Sequence, residues 1–277
     1  MRRKFALTAA AVVVAVAALG VGGMAYADRE YGSGNGDDAS TKIIGGQPAS
    51  EEYKFHASMQ YKEPGERPNP QRCGGSLIAP EWVLTAAHCV SKVEDGALLN
   101  PADYHIRIGS NDNLAGEQIE IESFTTHPYW ATDNESVADI ALIKLKTAAK
   151  EKPVAMSGHP SGDKPIRIIG WGRTDRDDPN SISQQAQELD TTLLNFDDCK
   201  FGEPGFDISP GDLCVDTPDG KAGPCSGDSG SPAMHKVGDQ WRIFGITSRG
   251  GGDKCLSTPE VYTNIDWWSD WIAETTG

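Results

Sequence analysis

The sequence is short of positive charge: 25 Lys+Arg stand against 40 Asp+Glu in 277 residues, a formal net charge of -15. A chain this acidic lacks the cationic surface that general binding to nucleic acid or anionic membrane needs, which removes both as expected partners of the folded part. Six cysteines are present but no C-x-x-C pair, so the spacing argues for disulfides over zinc ligation. No repeat recurs at a fixed period, and helical periodicity is confined to one terminal segment. Glycine and proline are plentiful instead, 31 and 17 residues, a composition of many turns rather than long helices.

Met1-Arg2-Arg3-Lys4, an apolar run from Phe5 to Leu19, and Ala25-Tyr26-Ala27 form a basic head, an apolar middle and a small-residue cleavage site. That order predicts a secretory signal peptide over residues 1–27. The run could just span a bilayer, but the glycines near its end and the A-x-A site favour removal. Export puts Cys73, Cys89, Cys199, Cys214, Cys225 and Cys255 in an oxidising compartment, where about 15 pairings are open and the spacing alone does not choose. Residues 28–42 are polar and glycine-rich with little to bury, so an exposed linker is the plain reading. Short alternating apolar runs then begin, at Tyr104–Ile108, Gln118–Ile121, Ile140–Leu145, Pro165–Ile169, Gln240–Ile246 and Glu260–Ile265, and predict strands. Ile265, Trp268 and Ile272 at helical spacing, with Asp266 in the first turn, predict a packing helix at the end.

Three stretches carry chemistry. Leu84-Thr85-Ala86-Ala87-His88-Cys89 ends a strand and sets an imidazole beside a cysteine. Asp139 opens the apolar run Ile140-Ala141-Leu142, so its carboxylate is expected to be partly desolvated. Gly227-Asp228-Ser229-Gly230-Ser231-Pro232 holds a serine in a tight glycine turn. A serine hydroxyl becomes a useful nucleophile once a neutral imidazole takes its proton, and a carboxylate must hold that imidazole in the right tautomer. His88, Asp139 and Ser229 supply these roles.

Together with Ile43-Ile44-Gly45-Gly46, Cys73-Gly74-Gly75-Ser76-Leu77 and Gly170-Trp171-Gly172, these runs resemble the trypsin/chymotrypsin family of serine peptidases across residues 43–277. The order His, Asp, Ser matches that family's triad. The resemblance implies an all-β fold of two antiparallel six-stranded barrels with a C-terminal helix, and the pairings Cys73–Cys89, Cys199–Cys214 and Cys225–Cys255. It implies an oxyanion site at the N–H groups of Gly227 and Ser229, support of the carboxylate by Ser248, and a secreted monomeric endopeptidase. Peptide or protein substrates and proteinaceous inhibitors are its expected partners; no cofactor or metal is expected. Ser110 stands where a calcium-binding relative offers a carboxylate, so calcium is not predicted. His56, His105, His127, His159 and His235 lack a matching context and are expected to be structural or surface residues; the tryptophans are read as packing residues, with Trp171 bordering the cleft.

The same resemblance turns residues 28–42 into an activation propeptide. Cleavage after Lys42 by an activating peptidase would free the α-ammonium of Ile43 to pair with Asp228. In the primary pocket, Gly223 stands six residues before Ser229, where trypsin has aspartate, followed by Pro224. Gly250 is expected to leave the entrance open and Glu260 to sit on the wall, giving a mixed preference for basic and large apolar side chains. If Glu260 instead faces solvent, an apolar slot of the chymotrypsin kind results. Arg249 replaces an aromatic lining residue and could favour acidic neighbours in the substrate, and Ser231 replaces a common glycine. A non-catalytic protein-binding relative would usually have lost a triad residue. An α/β-hydrolase esterase fails on the G-x-S-x-G pattern, broken at Ser231, and on the late histidine, since only His235 follows Ser229.

Overall fold

The computed structural model describes residues 43–130, 138–161, 165–203, 205–252 and 254–277. The expected signal peptide and propeptide, Lys42 included, lie outside them. After a two-residue strand β1 (Gln47–Pro48) come β2 (His56–Tyr61), β3 (Gln71–Ala79), β4 (Trp82–Thr85), β5 (Tyr104–Ile108), β6 (Glu117–Thr126) and β7 (Ala141–Leu145). These six close into a barrel in the order β2-β3-β4-β7-β6-β5, every pairing antiparallel. Alternation drives the closure. Ile119 and Ile121 of β6 point inward with Glu120 between them, and a bulge between Ile121 and Ser123 shifts the register so that Phe124 also turns inward.

The second half begins with β8 (Ala155–Met156) and continues with β9 (Ile166–Gly170), β10 (Gln187–Thr191), β11 (Asp212–Val215), β12 (Pro232–Val237), β13 (Gln240–Gly250) and β14 (Glu260–Asn264). Its antiparallel order is β10-β9-β12-β13-β14-β11, with β1 extending the β10 edge and β8 pairing parallel to β13. Full ladders leave this an open sheet. Its ends nevertheless meet, because the chain just beyond β10 is bridged at Leu193 to Val215 and the Leu194 N–H donates to the Cys214 carbonyl at 2.9 Å. The second of the two expected barrels thus closes through a short bridge, around Ile166, Ile168, Val215, Ala233, Phe244 and Tyr262, with Ile43 packed among them.

The three disulfides pair as the resemblance implies: Cys73–Cys89, Cys199–Cys214 and Cys225–Cys255. Each closes a loop of 15 to 30 residues, worth about 3–4 kcal/mol by the chain-entropy account. Two helix expectations are corrected. The terminal helix α2 is Ser269–Thr276, so Asp266 lies in the turn before it and Asp270 is the first-turn acid, while Ile265, Trp268 and Ile272 are buried as expected. Helical structure is also not confined to the end: Ala87–Val90 forms a single turn, α1, that carries His88. Four residues are too few for periodicity to register. No helix among the described residues is long and apolar enough to cross a membrane.

Candidate active site

His88 hangs from α1, directly after β4 of the first barrel; Asp139 precedes β7; Ser229 precedes β12 of the second. The Asp139 carboxylate gathers the first two. Its Oδ1 accepts the His88 backbone N–H at 3.0 Å, and its Oδ2 lies 2.8 Å from His88 Nδ1 and accepts the Ser248 hydroxyl at 2.7 Å. Burial alone would raise this acid. The charge of His88, the hydrogen bonds from its ring and backbone, and the Ser248 hydroxyl outweigh burial and bring Asp139 down to about 2. An ionised carboxylate only accepts, so the proton between the two groups sits on Nδ1 and leaves Nε2 as an acceptor.

Backbone irregularities aim these groups. Ala138, next to Asp139, is buried with φ of 56°, a left-handed conformation uncommon for a residue with a Cβ. The β13–β14 register shifts between Thr247 and Arg249, so Ser248 is the extra residue of a bulge, which turns its side chain to Asp139. Thr263 of β14 holds the peptide of Asp139 from behind, its hydroxyl donating to the Asp139 carbonyl at 2.9 Å. No sequence pattern pointed to Thr263 or Ala138.

The turn around Ser229 is tied down by its own peptide groups. The N–H groups of Asp228, Gly230 and Ser231 donate to Cys225, Thr247 and Asp228 carbonyls, each at 2.9 Å, and the Gly74 N–H reaches the Ser229 carbonyl at 2.8 Å. Among the described residues, the N–H groups of Gly227 and Ser229 have no protein acceptor. Gly227 adopts φ of 99°, and a Cβ there would sit 2.9 Å from the Ile182 Cδ1, so only glycine keeps this peptide in place. Gln71 Nε2 donates to the Gly227 carbonyl at 3.1 Å, a cross-barrel strut that no motif announced. Asp228 turns inward, its carboxylate accepting the N–H groups of Gly172 at 2.7 Å and Cys225 at 3.0 Å. No cationic side chain pairs with it among the described residues, and burial pushes it up to about 7.

On one side of Ser229 lies a cavity of about 220 Å³ lined by Pro224, Ser226, Ser248, Gly250 and Glu260. Glu260 therefore faces the cavity and not bulk solvent. A Cβ on Gly250 would lie 2.7 Å from a Glu260 oxygen, so that glycine makes room for the carboxylate. The Glu260 carboxylate has no hydrogen-bond partner among the described residues; burial, with the Asp228 charge adding to it, raises it to about 8. Gly223 is not part of this wall. Its N–H donates to the Ile44 carbonyl at 2.9 Å, and its Cα faces Leu256 and Thr217. Arg249 lines the cavity but is not free to meet an acidic substrate residue: its Nη2 pairs with Asp212 at 2.7 Å, and its Nη1 donates to the Ser248 hydroxyl oxygen at 3.0 Å.

Other expectations fare differently. Trp171 does not border the cleft; it is buried, stacked on His56 at 3.9 Å, and donates to the Asn111 carbonyl at 2.8 Å. Ser231 is buried and useful, its hydroxyl 3.2 Å from His56 Nε2. His56, His105 and His127 are buried, and burial lowers all three. The cluster of metal-type side chains found among the described residues, Cys73, His88 and Cys89, is already engaged, two members in the disulfide and one with Asp139.

The profile of the Trypsin family matches residues 43–272. Proproteinase E of Bos taurus is 30% identical over 257 residues, covering 85% of this chain and 95% of its own. The CLIP domain-containing serine protease B4 of Anopheles gambiae is 28% identical over 263 residues, 86% of this chain and 71% of that one. Coagulation factor XI of Bos taurus is 30% identical over 254 residues, 85% of this chain but only 38% of its own length. With a family profile spanning most of its length and relatives of this kind over the same residues, the chain belongs to the trypsin family of serine endopeptidases.

Proposed function

We propose that the chain is a secreted precursor whose mature form, beginning at Ile43, hydrolyses peptide bonds through Ser229, His88 and Asp139. The observation that supports this most is the Asp139 carboxylate, held at once by His88 Nδ1, the His88 backbone and Ser248 beside a groove that His88 and Ser229 both line. In this reading Ser229 Oγ attacks the scissile carbonyl as its proton passes to His88 Nε2. The unpaired N–H groups of Gly227 and Ser229 receive the charge that develops on the oxygen, each worth about 3 kcal/mol in the transition state. His88 then gives its proton to the leaving amine, and water hydrolyses the acyl-enzyme. A serine-directed phosphonylating probe should label the activated protein at Ser229 and leave Ser229→Ala unlabelled. Absence of label after cleavage at Lys42 would end the catalytic reading in favour of a protein-binding role.

Glu260 sets the primary preference in this proposal. With its proton retained to about pH 8, Glu260 is neutral at pH 7, and the two cations of the lining, Arg249 and Lys254, are paired with Asp212 and Asp177, so the cavity admits a large apolar side chain. An entering Lys or Arg draws the proton off and meets a carboxylate. Cleavage after basic residues, relative to apolar ones, should therefore rise as pH climbs toward 8. Glu260→Ala should lower the basic-to-apolar ratio of kcat/KM by about 10- to 100-fold, as loss of a desolvated charge partner does. A panel of peptides with Lys, Arg, Phe, Leu or Ala before the cut reads both effects; an unchanged ratio would leave an apolar slot of the chymotrypsin kind.

A further inference from the structure

Across Ser229 from the Glu260 cavity, the groove opens into a second cavity of about 550 Å³. His88 lines this one and not the first. Since His88 must reach the leaving amine, the second cavity lies on the leaving-group side, an assignment that rests on the proposed triad. Its walls carry Arg67, Arg72 and Arg173, and no Asp or Glu.

Three guanidiniums in one cavity are out of keeping with a net charge of -15. None forms an ion pair among the described residues. Arg72 is anchored, its Nε donating to the Cys89 carbonyl at 2.8 Å and its Nη1 to the Tyr61 hydroxyl at 2.6 Å. Arg67 lies over the Tyr61 ring at 4.5 Å and donates from Nη1 to the Pro64 carbonyl at 3.1 Å. Arg173 has a buried Nε with no partner. The acids of the neighbouring loop form no ion pair with these arginines. Asp177 pairs with Lys254 at 2.8 Å, Asp178 accepts the Asn180 N–H at 2.8 Å, and Asp175 accepts the Asp177 N–H at 2.9 Å. A walled cavity whose guanidiniums have no paired carboxylate favours positive potential, and a planar guanidinium fork suits a carboxylate.

We propose that this cavity binds the residues that follow the scissile bond and selects acidic side chains there. Arg67 and Arg173 read the carboxylates, while Arg72, held by the disulfide-linked strand, adds its fixed charge. The substrate class is then a peptide with a large apolar or basic residue before the cut and Asp or Glu within the first two positions after it.

Binding to the Ser229→Ala protein after cleavage at Lys42–Ile43 by a separate trypsin-like peptidase tests this without turnover. Fluorescent peptides share one sequence up to the cut and carry Glu, Ala or Lys at the two positions after it, and anisotropy gives their Kd values. The Glu peptide should bind about five- to tenfold tighter than the Ala peptide, with the Lys peptide weakest. The difference should shrink in about 1 M salt, where the screening length falls to about 3 Å. Adding Arg67→Ala and Arg173→Gln should bring the Glu and Ala peptides within about twofold of each other. Equal or undetectable binding of the Glu and Ala peptides to the Ser229→Ala chain overturns the proposal, as does a preference that survives loss of both arginines in a chain with unchanged circular dichroism. Failure of the phosphonylating probe would instead count against the triad, so the two readings fail separately.

Discussion

Asp139→Asn should lower kcat about 10⁴-fold in a protein that still folds, the loss expected when an amide replaces the carboxylate and leaves the imidazole in the wrong tautomer. The geometry gives the reason. Asp139 presents acceptors to three donors: the His88 backbone N–H on Oδ1, and His88 Nδ1–H and the Ser248 hydroxyl on Oδ2. An amide has one accepting oxygen and one donating nitrogen. The peptide N–H cannot change its role, whereas the imidazole can move its proton and the hydroxyl can rotate. The amide nitrogen therefore settles on the Oδ2 side and faces Nδ1, which becomes the acceptor. Nε2 then carries the hydrogen and can no longer take the Ser229 proton. Steady-state kinetics beside a thermal melt check this; a loss below about tenfold would mean that Asp139 does not set the tautomer.

Cleavage after Lys42 should change both activity and the pH dependence of stability, and Asp228→Asn should separate the two. In the uncut chain Asp228 keeps its proton to about pH 7 because it is buried with two N–H donors and no cationic partner among the described residues, whereas the unfolded value is 3.8. Between those values the native state holds more protons than the unfolded one. Stability of the uncut chain should therefore fall by about 4 kcal/mol as pH rises from about 4 to about 7 and be level in this respect above it. Urea unfolding at pH 4, 5.5 and 7 measures this slope, and Asp228→Asn should remove that part of it. In the cut chain the proposed Ile43 ammonium ionises Asp228, so the same substitution leaves a buried cation unpaired. It should then cost about 3–5 kcal/mol of stability. Asp228 stands between Gly227 and Ser229 in the turn that presents their N–H groups, so kcat should fall about 10²- to 10³-fold, the effect of losing an oxyanion donor. A cut Asp228→Asn protein with unchanged turnover would dismiss the activation pair.

Much of the fold was legible because a barrel strand writes its inner face into alternate residues. Ile119 and Ile121, or Ile166 and Ile168, announce a strand without knowledge of its partner. The candidate residues His88, Asp139 and Ser229 were legible for a different reason: His88 and Ser229 sit in short motifs of small residues and glycines, and Asp139 is a lone carboxylate at the head of the apolar run Ile140-Ala141-Leu142. The one-turn helix under His88 was too brief to leave a period. Trp171 was misplaced because a glycine on either side says only that the backbone is crowded, and the crowding is by Asp228 against Gly170 and Gly172, not by a ligand groove. Gly223 was misplaced because a position along a loop does not say which way its Cα faces.

Local pattern thus decided which elements form and which side chains are candidates for chemistry, since those depend on residues within a few positions of one another. Contacts across long separations decided the rest. Ser248 reaches Asp139 only because a bulge places it opposite a residue 109 positions away. Glu260 is an unpaired acid only because the second barrel folds it beside Asp228 and out of bulk water. Arg67, Arg72 and Arg173 become one positive cavity only when the two barrels form its opposite walls. Burial and mutual distance set the charge state and reach of each of these groups, and neither quantity exists until the chain has closed on itself.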